Sequence, residues 1–478
     1  MASELHFIPH SFPQAQSDVM ADAQRPRRMT AAFALRFLLM LALSFALTAR
    51  PAAAQSILRD AETEALLRDI SRPLIEASGL RPEDVQVVMV GDSSINAFVA
   101  GGQIVYIHSG LIDASDNVNE VQGVIAHELG HITGGHIIRF SEGASAATGI
   151  TILSLLLGAA AMAAGSGEAG MGIMAAGQQA ATGRFYSFLS TQESSADQAG
   201  ASFLAKAGVS GRGSIAFFKK LQNQEFRYGI PQNDSYFRTH PLSGTRISNL
   251  ETNYKKDPAW DKPTDPALEA RFERVKAKLF GFVHDPKRTM QRYPDTDKTV
   301  PAYYARAYGW HKSAYPDRAE KEIAALLARD PNDPYFLELH GQIMLESGRP
   351  ADALASLRKA VSITPDPLIA SLFGHALIAT EDKANFEEAK KVLRSAIGRD
   401  NSNPFAWYQL GIVYDREGDQ ARAALATAER YNLLGQPRLA LASAEHAMMG
   451  IPQGTSDYLR AQDIAMVSRA AVEKDKKK

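Results

Sequence analysis

Apolar residues recur along this chain at several distinct spacings, and each spacing predicts a different element. In residues 124–140, VIAHELGHITGGHIIRF, Ile125, Leu129 and Ile132 fall at helical intervals and form a stripe facing the core. Gly123, Ala126 and Gly130 leave another side of that helix smooth enough for close packing, and Gly134-Gly135 ends it. Upstream, Ala97 to Ala100 and Gln103 to His108 read as short strands joined by a two-residue turn at Gly101-Gly102. Two stretches are apolar without alternation: residues 29–54 and residues 148–177. The core of the second, Ile150 to Ala164, is shorter than the ~20 residues of a bilayer span. It is expected to form a helical hairpin, partly buried and partly available to a membrane or a substrate.

Beyond residue 257 the pattern changes. A Pro/Asp-rich linker, KKDPAWDKPTDP, leads into a charged helix, ALEARFERVKAKLFGF, and then into repeats. Gly341, Gly374 and Gly411 recur near the ~34-residue period of tetratricopeptide repeats, whose small and aromatic positions are matched by Ala353, Ala360, Pro365, Trp407, Leu410, Tyr414 and Ala423. The middle unit carries extra residues around Asp382 to Asn385, and degenerate units before 334 and after 437 cap the array. The predicted organisation is therefore a signal peptide over 1–54, with Met29 as an alternative start, and a catalytic domain over 55–257. A linker and connecting helix follow over 258–300, repeats over 301–470, and a basic tail over 471–478. The fold class is mainly α.

Composition narrows the function. With 52 basic against 53 acidic residues the chain has no electrostatic footprint for nucleic acid. The basic start, apolar run and Ala52-Ala53-Ala54 before Gln55 predict export, hence a periplasmic protein in a bacterium. Solenoids of such repeats present a concave surface for protein partners.

The chemistry lies in the glycine-flanked helix. His127 and His131 are one turn apart and share a face, with Glu128 roughly 100° round from His127. This H-E-x-x-H spacing brings two imidazoles to one metal and sets a glutamate beside it to take a proton from the attacking water. A structural zinc takes four protein ligands, and the chain has no cysteine; a catalytic zinc takes three and keeps a place for water. Downstream, in FLSTQESSADQAGASFLAKAG, Glu193 and Asp197 share a helix face. Glu193 reads as the third ligand, although Ser190 to Glu193 also fits a capping box. Asp197 is placed to receive an N–H from a zinc-binding histidine and fix its tautomer. His136 falls five residues after His131, not the six of H-E-x-x-H-x-x-G-x-x-H, and is expected at a frayed helix end outside the ligand set. His108 reads as structural.

H-E-x-x-H followed by E-S-S-A-D resembles the gluzincin family of HtpX-type and CAAX-prenyl-protease-type metallopeptidases. INAFVAGGQIVYIHSGLI (95–112) resembles that family's strand segment beside the active site, and THPLSGTRI (239–247) its late His-Pro…Arg motif. The resemblance implies a gluzincin-type domain with a small β-sheet, holding one zinc per chain through His127, His131 and Glu193. It also implies that His240 approaches the zinc and that Arg246 contacts the site or steadies the transition state. Read alone, His240 is equally a turn residue before Pro241 and Arg246 a helix-surface cation. Export signal, zinc domain and repeats together resemble the periplasmic, repeat-bearing members of the family. These imply an endopeptidase that degrades misfolded or stalled outer-membrane proteins and assists their assembly, with the repeats reaching the assembly machinery. The alternative is a periplasmic chaperone or assembly adaptor whose proteolysis is minor, or latent because His240 takes the water's place on zinc.

Overall fold

The structure, a computed structural model, describes residues 57–164, 166–228, 240 and 244–476. The predicted signal peptide, Pro241 and the last two residues of the basic tail lie outside the described residues. Residues 55–478 form one compact unit.

The first half opens with β1 (Ile57–Leu58), α1 (Ala61–Ser78), β2 (Gln86–Val90), β3 (Ala97–Ala100) and β4 (Ile104–His108). The sheet runs β1-β2-β4-β3, with β2 and β4 parallel and both outer strands antiparallel, so β3 is an edge. Ala100 pairs with Ile104, which makes the β3–β4 connection three residues long rather than the expected two. Gly101 and Gly102 turn it at φ 63° and 99°, a conformation that costs glycine nothing.

Next come α2 (Ser109–Ala114), α3 (Val118–Thr133), α4 (His136–Ala163), α5 (Gly167–Ala207), α6 (Arg212–Tyr228) and α7 (Gly244–Tyr254). Helix α3 starts where the Asn117 side chain accepts from the Glu120 N–H and stops at Gly134, after which Gly135 turns left-handed at φ 63°. Val121, Ile125 and Leu129 are buried against the sheet and α1 in one core. His136 is not at a frayed end: it opens α4 and is itself buried. Ser190 lies deep inside α5, so it cannot be a helix cap. The apolar segment 148–177 does form a hairpin of α4 and α5, but most of its apolar side chains are exposed rather than buried.

Helix α8 (Pro266–Val283) is more than a connector. Capped by Asp265 and started by Pro266, it contributes Phe272, Val275 and Leu279 to the same core as α3. After α9 (Pro286–Arg292) come the helix pairs of a solenoid. These are α10 (Val300–Lys312) with α11 (Pro316–Leu327), α12 (Pro334–Glu346) with α13 (Pro350–Ile363), and α14 (Pro367–Ala379) with α15 (Phe386–Arg399). They continue with α16 (Pro404–Arg416) and α17 (Gln420–Leu433), then α18 (Pro437–Gly450) and α19 (Ser456–Lys476). Asp333, Asp366 and Asn403 cap the first helix of three pairs, each with proline next. At two of its three positions the repeated glycine is a packing device: a Cβ at Gly341 would meet Leu357 Cγ at 2.4 Å, and one at Gly374 would meet Leu393 Cγ at 2.5 Å, whereas Gly411 has room for one. The extra residues of the middle unit form a short 3-10 turn, Lys383–Asn385.

The first half and the repeats meet along α1 and α8. Ala61 packs with Leu337, Ala360 and Ile369. Around it, Lys278 Nζ lies 2.6 Å from Asp60 Oδ2, Arg274 pairs with Glu62 and with Asp333 (2.6 Å), and the Tyr304 hydroxyl donates to Glu62 Oε2 (2.8 Å).

Candidate metal centre

The crossing of α3 and α5 builds the site. The two helices touch through small residues: a Cβ at Gly130 would lie 2.5 Å from the Ala196 carbonyl oxygen, and one at Gly200 would lie 3.0 Å from that of Ala126. Gly123, on another side of α3, meets Ser214 of α6. This close approach brings His127 and His131 of α3 opposite Glu193 of α5. His131 Nε2 lies 3.1 Å from His127 Nε2, and the two Nε2 atoms are each 3.3 Å from a Glu193 oxygen. His240 enters from the far side, its Nδ1 3.3 Å from His127 Nε2 and 3.1 Å from Glu193 Oε1. Its Nε2 is 3.3 Å from the Ala97 carbonyl oxygen on edge strand β3.

One ligand atom from each of His127, His131, Glu193 and His240 fits within 4.8 Å of the others. Tetrahedral ligands at the ~2.0–2.1 Å bond lengths of zinc stand about 3.3–3.4 Å apart, close to the separations found here. The donor set, neutral imidazole and carboxylate, also suits such an ion. The residues present therefore fit a bound metal.

Behind these groups is a second layer. His127 Nδ1 lies 3.0 Å from Asp197 Oδ1. Arg246 donates through Nε and Nη2 to the two Asp197 oxygens, at 2.7 and 2.9 Å, and Nη2 also lies 3.0 Å from Glu193 Oε2. Its guanidinium faces the ring of Phe218, which meets His127 edge-on. Arg246 is thus a buried partner of two carboxylates, not a surface cation.

Charges in the cluster hold one another. Burial opposes ionisation of Glu193, but His240, His127 and His131 hold its carboxyl far below the ordinary range. Burial likewise works against the Asp197 carboxylate, and His127 and Arg246 more than offset it. Burial lowers His127, yet the Asp197 and Glu193 carboxylates beside it raise it to about 10. His131 is lowered by burial, and His136 falls to about 4 through burial and the neighbouring His131. Glu128 differs from all of these: its side chain is buried, and both carboxylate oxygens lack a hydrogen-bond partner among the described residues. Among the described residues, His240 Nε2 comes within 3.6 Å of its Oε1.

Of the residues singled out in the sequence, His127, His131, Glu193 and His240 share this cluster, with Glu128 beside it and Asp197 and Arg246 behind. His136 supplies no ligand atom to the cluster, but its Nδ1 sits 3.0 Å from His131 Nδ1, a support the sequence reading missed. Five-residue spacing across a Gly-Gly break was the available signal, because a new helix there turns the side chain back. His108 is buried at the end of β4, with Nδ1 2.9 Å from the Ser94 hydroxyl.

Residues 61–253 match the profile of Peptidase family M48. The chain is similar to the beta-barrel assembly-enhancing protease of Yersinia pestis, 27% identical over 384 residues, covering 78% of this chain and 76% of that protein. The protein of the same name from Escherichia coli (strain K12) is 23% identical over 379 residues, with the same coverage. Metalloprotease LoiP of Escherichia coli (strain K12) is 28% identical over 178 residues, 37% of this chain and 65% of that protein. Among solved structures, YrrB, described as a TPR protein with an unusual peptide-binding site, covers 37% of this chain and 92% of its own at 20% identity and a TM-score of 0.30.

Proposed function

We propose that this chain, a metallopeptidase with an M48-type domain and helical repeats, is a periplasmic zinc endopeptidase. It degrades misfolded or stalled outer-membrane proteins and assists their assembly. The observation that carries the catalytic part is the tetrahedral spacing of His127, His131 and Glu193 beside the buried Glu128, whose carboxylate no described residue hydrogen-bonds. The printed names of the Yersinia and Escherichia relatives support the assignment to β-barrel assembly.

His127 Nε2, His131 Nε2 and the Glu193 carboxylate would hold the ion. A zinc ion held there would act as a Lewis acid and bring the pKa of water near neutrality. Glu128 Oε takes the proton from the attacking water and returns it to the leaving amine; its oxygens are available because no described side chain hydrogen-bonds them. Asp197 holds the Nδ1 proton of His127 and so directs the Nε2 lone pair into the site. Arg246 keeps Asp197 and Glu193 in place, and we assign it a positioning role. Edge strand β3 offers main-chain groups to an extended substrate, a sequence-tolerant mode suited to unfolded segments.

A second reading rests on His240. Its Nδ1 lies among the ligand atoms, where a third imidazole, as fourth ligand, would exclude water and leave the peptidase latent, with the repeats acting as chaperone or adaptor. Metal content and casein cleavage of residues 55–478 decide between the readings. The expected pattern is one zinc and cleavage for wild type, retained zinc without cleavage for Glu128→Gln, and lost zinc for Glu193→Ala. His240→Ala should cleave faster if His240 enforces latency; unchanged or slower cleavage rejects that role. A zinc-loaded protein that fails to cleave even as His240→Ala would make the adaptor reading the right one.

A further inference from the structure

The α4–α5 hairpin reaches beyond the peptidase core with side chains that nothing among the described residues covers. Between Glu142 and Arg184 the only charged residue in the sequence is Glu168, which sits at the start of α5 beside the turn. Ile152, Leu153, Leu155, Leu156, Leu157 and Met171 are all exposed, Leu156 at 64% and Met171 at 68%. Successive helical residues point about 100° apart, so the run from 152 to 157 is apolar on every side but that of Ser154, which is turned inward onto the other helix of the hairpin. A protein groove would need one stripe; a helix that is apolar all round is either buried or surrounded by lipid. Helix α4 is long and apolar enough to cross a membrane, and little of its apolar stretch is buried.

Two further observations point the same way. The helices of the hairpin are joined by backbone contact: a Cβ at Gly158 would lie 2.7 Å from the Gly170 carbonyl oxygen, and one at Gly170 would lie 2.5 Å from that of Gly158. Gly177 packs directly on Ser154. Small residues at helix contacts are the packing mode that works where no hydrophobic force drives helices together. The pairing of 158 with 170–174 and of 154 with 177 sets Arg184 level with residue 147. The uncharged part therefore stands about 26 Å tall from that level to the turn at Ala164. Hydrocarbon cores are ~30 Å thick. At its base stand Arg184 and Tyr186, both exposed, a basic and aromatic pair of the kind found at headgroups. The polar side chains of the hairpin, Gln178 and Gln179 foremost, are amides and hydroxyls rather than charges.

We propose that this hairpin inserts into a lipid bilayer and holds the peptidase site at the membrane surface. Acyl chains cover Ile152 to Leu157 and Met171, and Arg184 and Tyr186 lie among the headgroups. Deep insertion carries Glu168 out toward the far headgroups rather than leaving a carboxylate among acyl chains. The inference does not depend on proteolysis.

The test is flotation of residues 55–478 with vesicles of phosphatidylethanolamine and phosphatidylglycerol, at low and at about 0.5 M salt, where exposed charges are screened within a few ångströms. Wild type should float at both, and Leu153→Lys/Leu156→Lys should bind at least about a hundredfold more weakly, since each central lysine costs that much. The same variant should cleave casein at the wild-type rate, which separates a failure here from a failure of the protease reading. The indole of Leu156→Trp should be quenched by vesicles whose acyl chains carry bromine. Flotation lost at high salt, or indole fluorescence left unquenched in that variant, would mean surface adsorption and overturn the proposal. Wild type that stays unbound while cross-linking into dimers would assign the face to a second copy instead.

Discussion

Replacing Arg246 by methionine isolates the electrostatics of the site. The guanidinium binds both Asp197 oxygens and one Glu193 oxygen, and both carboxylates are 5% exposed or less. Methionine fills similar space but leaves two ionised groups buried without it, a loss of about 3–5 kcal/mol by analogy with other broken buried pairs. In a domain of this size 1 kcal/mol moves Tm by about 2–4 °C, so the peptidase transition should fall by roughly 6–20 °C in EDTA. A divalent cation would restore positive charge next to Glu193 but not next to Asp197. Excess zinc should therefore recover about half of the drop. Arg246→Lys keeps a charge without the two-pronged geometry and should fall between. The assay is scanning calorimetry of residues 55–478 near neutral pH, with EDTA and with zinc. A drop under about 3 °C, or one of equal size with and without zinc, would refute the coupling of Arg246 to the metal ligands.

Burial pushes the Glu338 carboxyl up to about 8; Lys278 opposes this, while Asp60, Asp366 and Glu62 add to it. Because its folded value lies above the ordinary 4.5, its stabilising effect is full below pH ~4.5 and is lost as pH rises through 8. Glu338→Gln should thus match wild type in urea unfolding at about pH 5 and exceed it by about 1–3 kcal/mol at about pH 8.5, discounted for partial exposure. An equal gain at both pH values would exclude titration as the cause. Gly130→Ala drives a methyl into the Ala196 carbonyl and should cost about 1–3 kcal/mol while weakening zinc binding more than about tenfold. Gly183→Ala, on an open face of α5, is the control: it should leave zinc binding unchanged in a metal titration by calorimetry and should cost no stability, since alanine favours a helix interior over glycine.

What could be read from sequence is what local geometry encodes. His127 and His131 had to share a face because one helical turn separates them, and Glu193 and Asp197 likewise. The repeat register was legible because a small residue is required wherever a Leu of the next helix packs, as Gly341 and Gly374 show. Spacing could not tell a capping Ser190 from a mid-helix one, since the same S-x-x-E suits both; only the length of α5, which starts at Gly167, separates them. For His136 the five-residue step across Gly134-Gly135 was a signal but not a decisive one, because Gly135 could end a helix or redirect the chain into another.

The seam between the two halves was not legible at all, for a physical reason. Its contacts join residues far apart in sequence: Glu62 with Arg274 and Tyr304, Asp60 with Lys278, Arg274 with Asp333. Each charge taken singly looks like an ordinary helix-surface residue, and α8 accordingly reads as a charged connector. Only the fold shows that Lys278 and Glu62 are buried together. Separating the repeats from α1 and α8 would break these pairs and expose to water the apolar contacts of Ala61 with Leu337, Ala360 and Ile369. This makes a freely swinging repeat array energetically unfavourable. Whatever the solenoid binds is consequently held in a fixed relation to α1 and α8, and through their shared core to α3 and its two histidines.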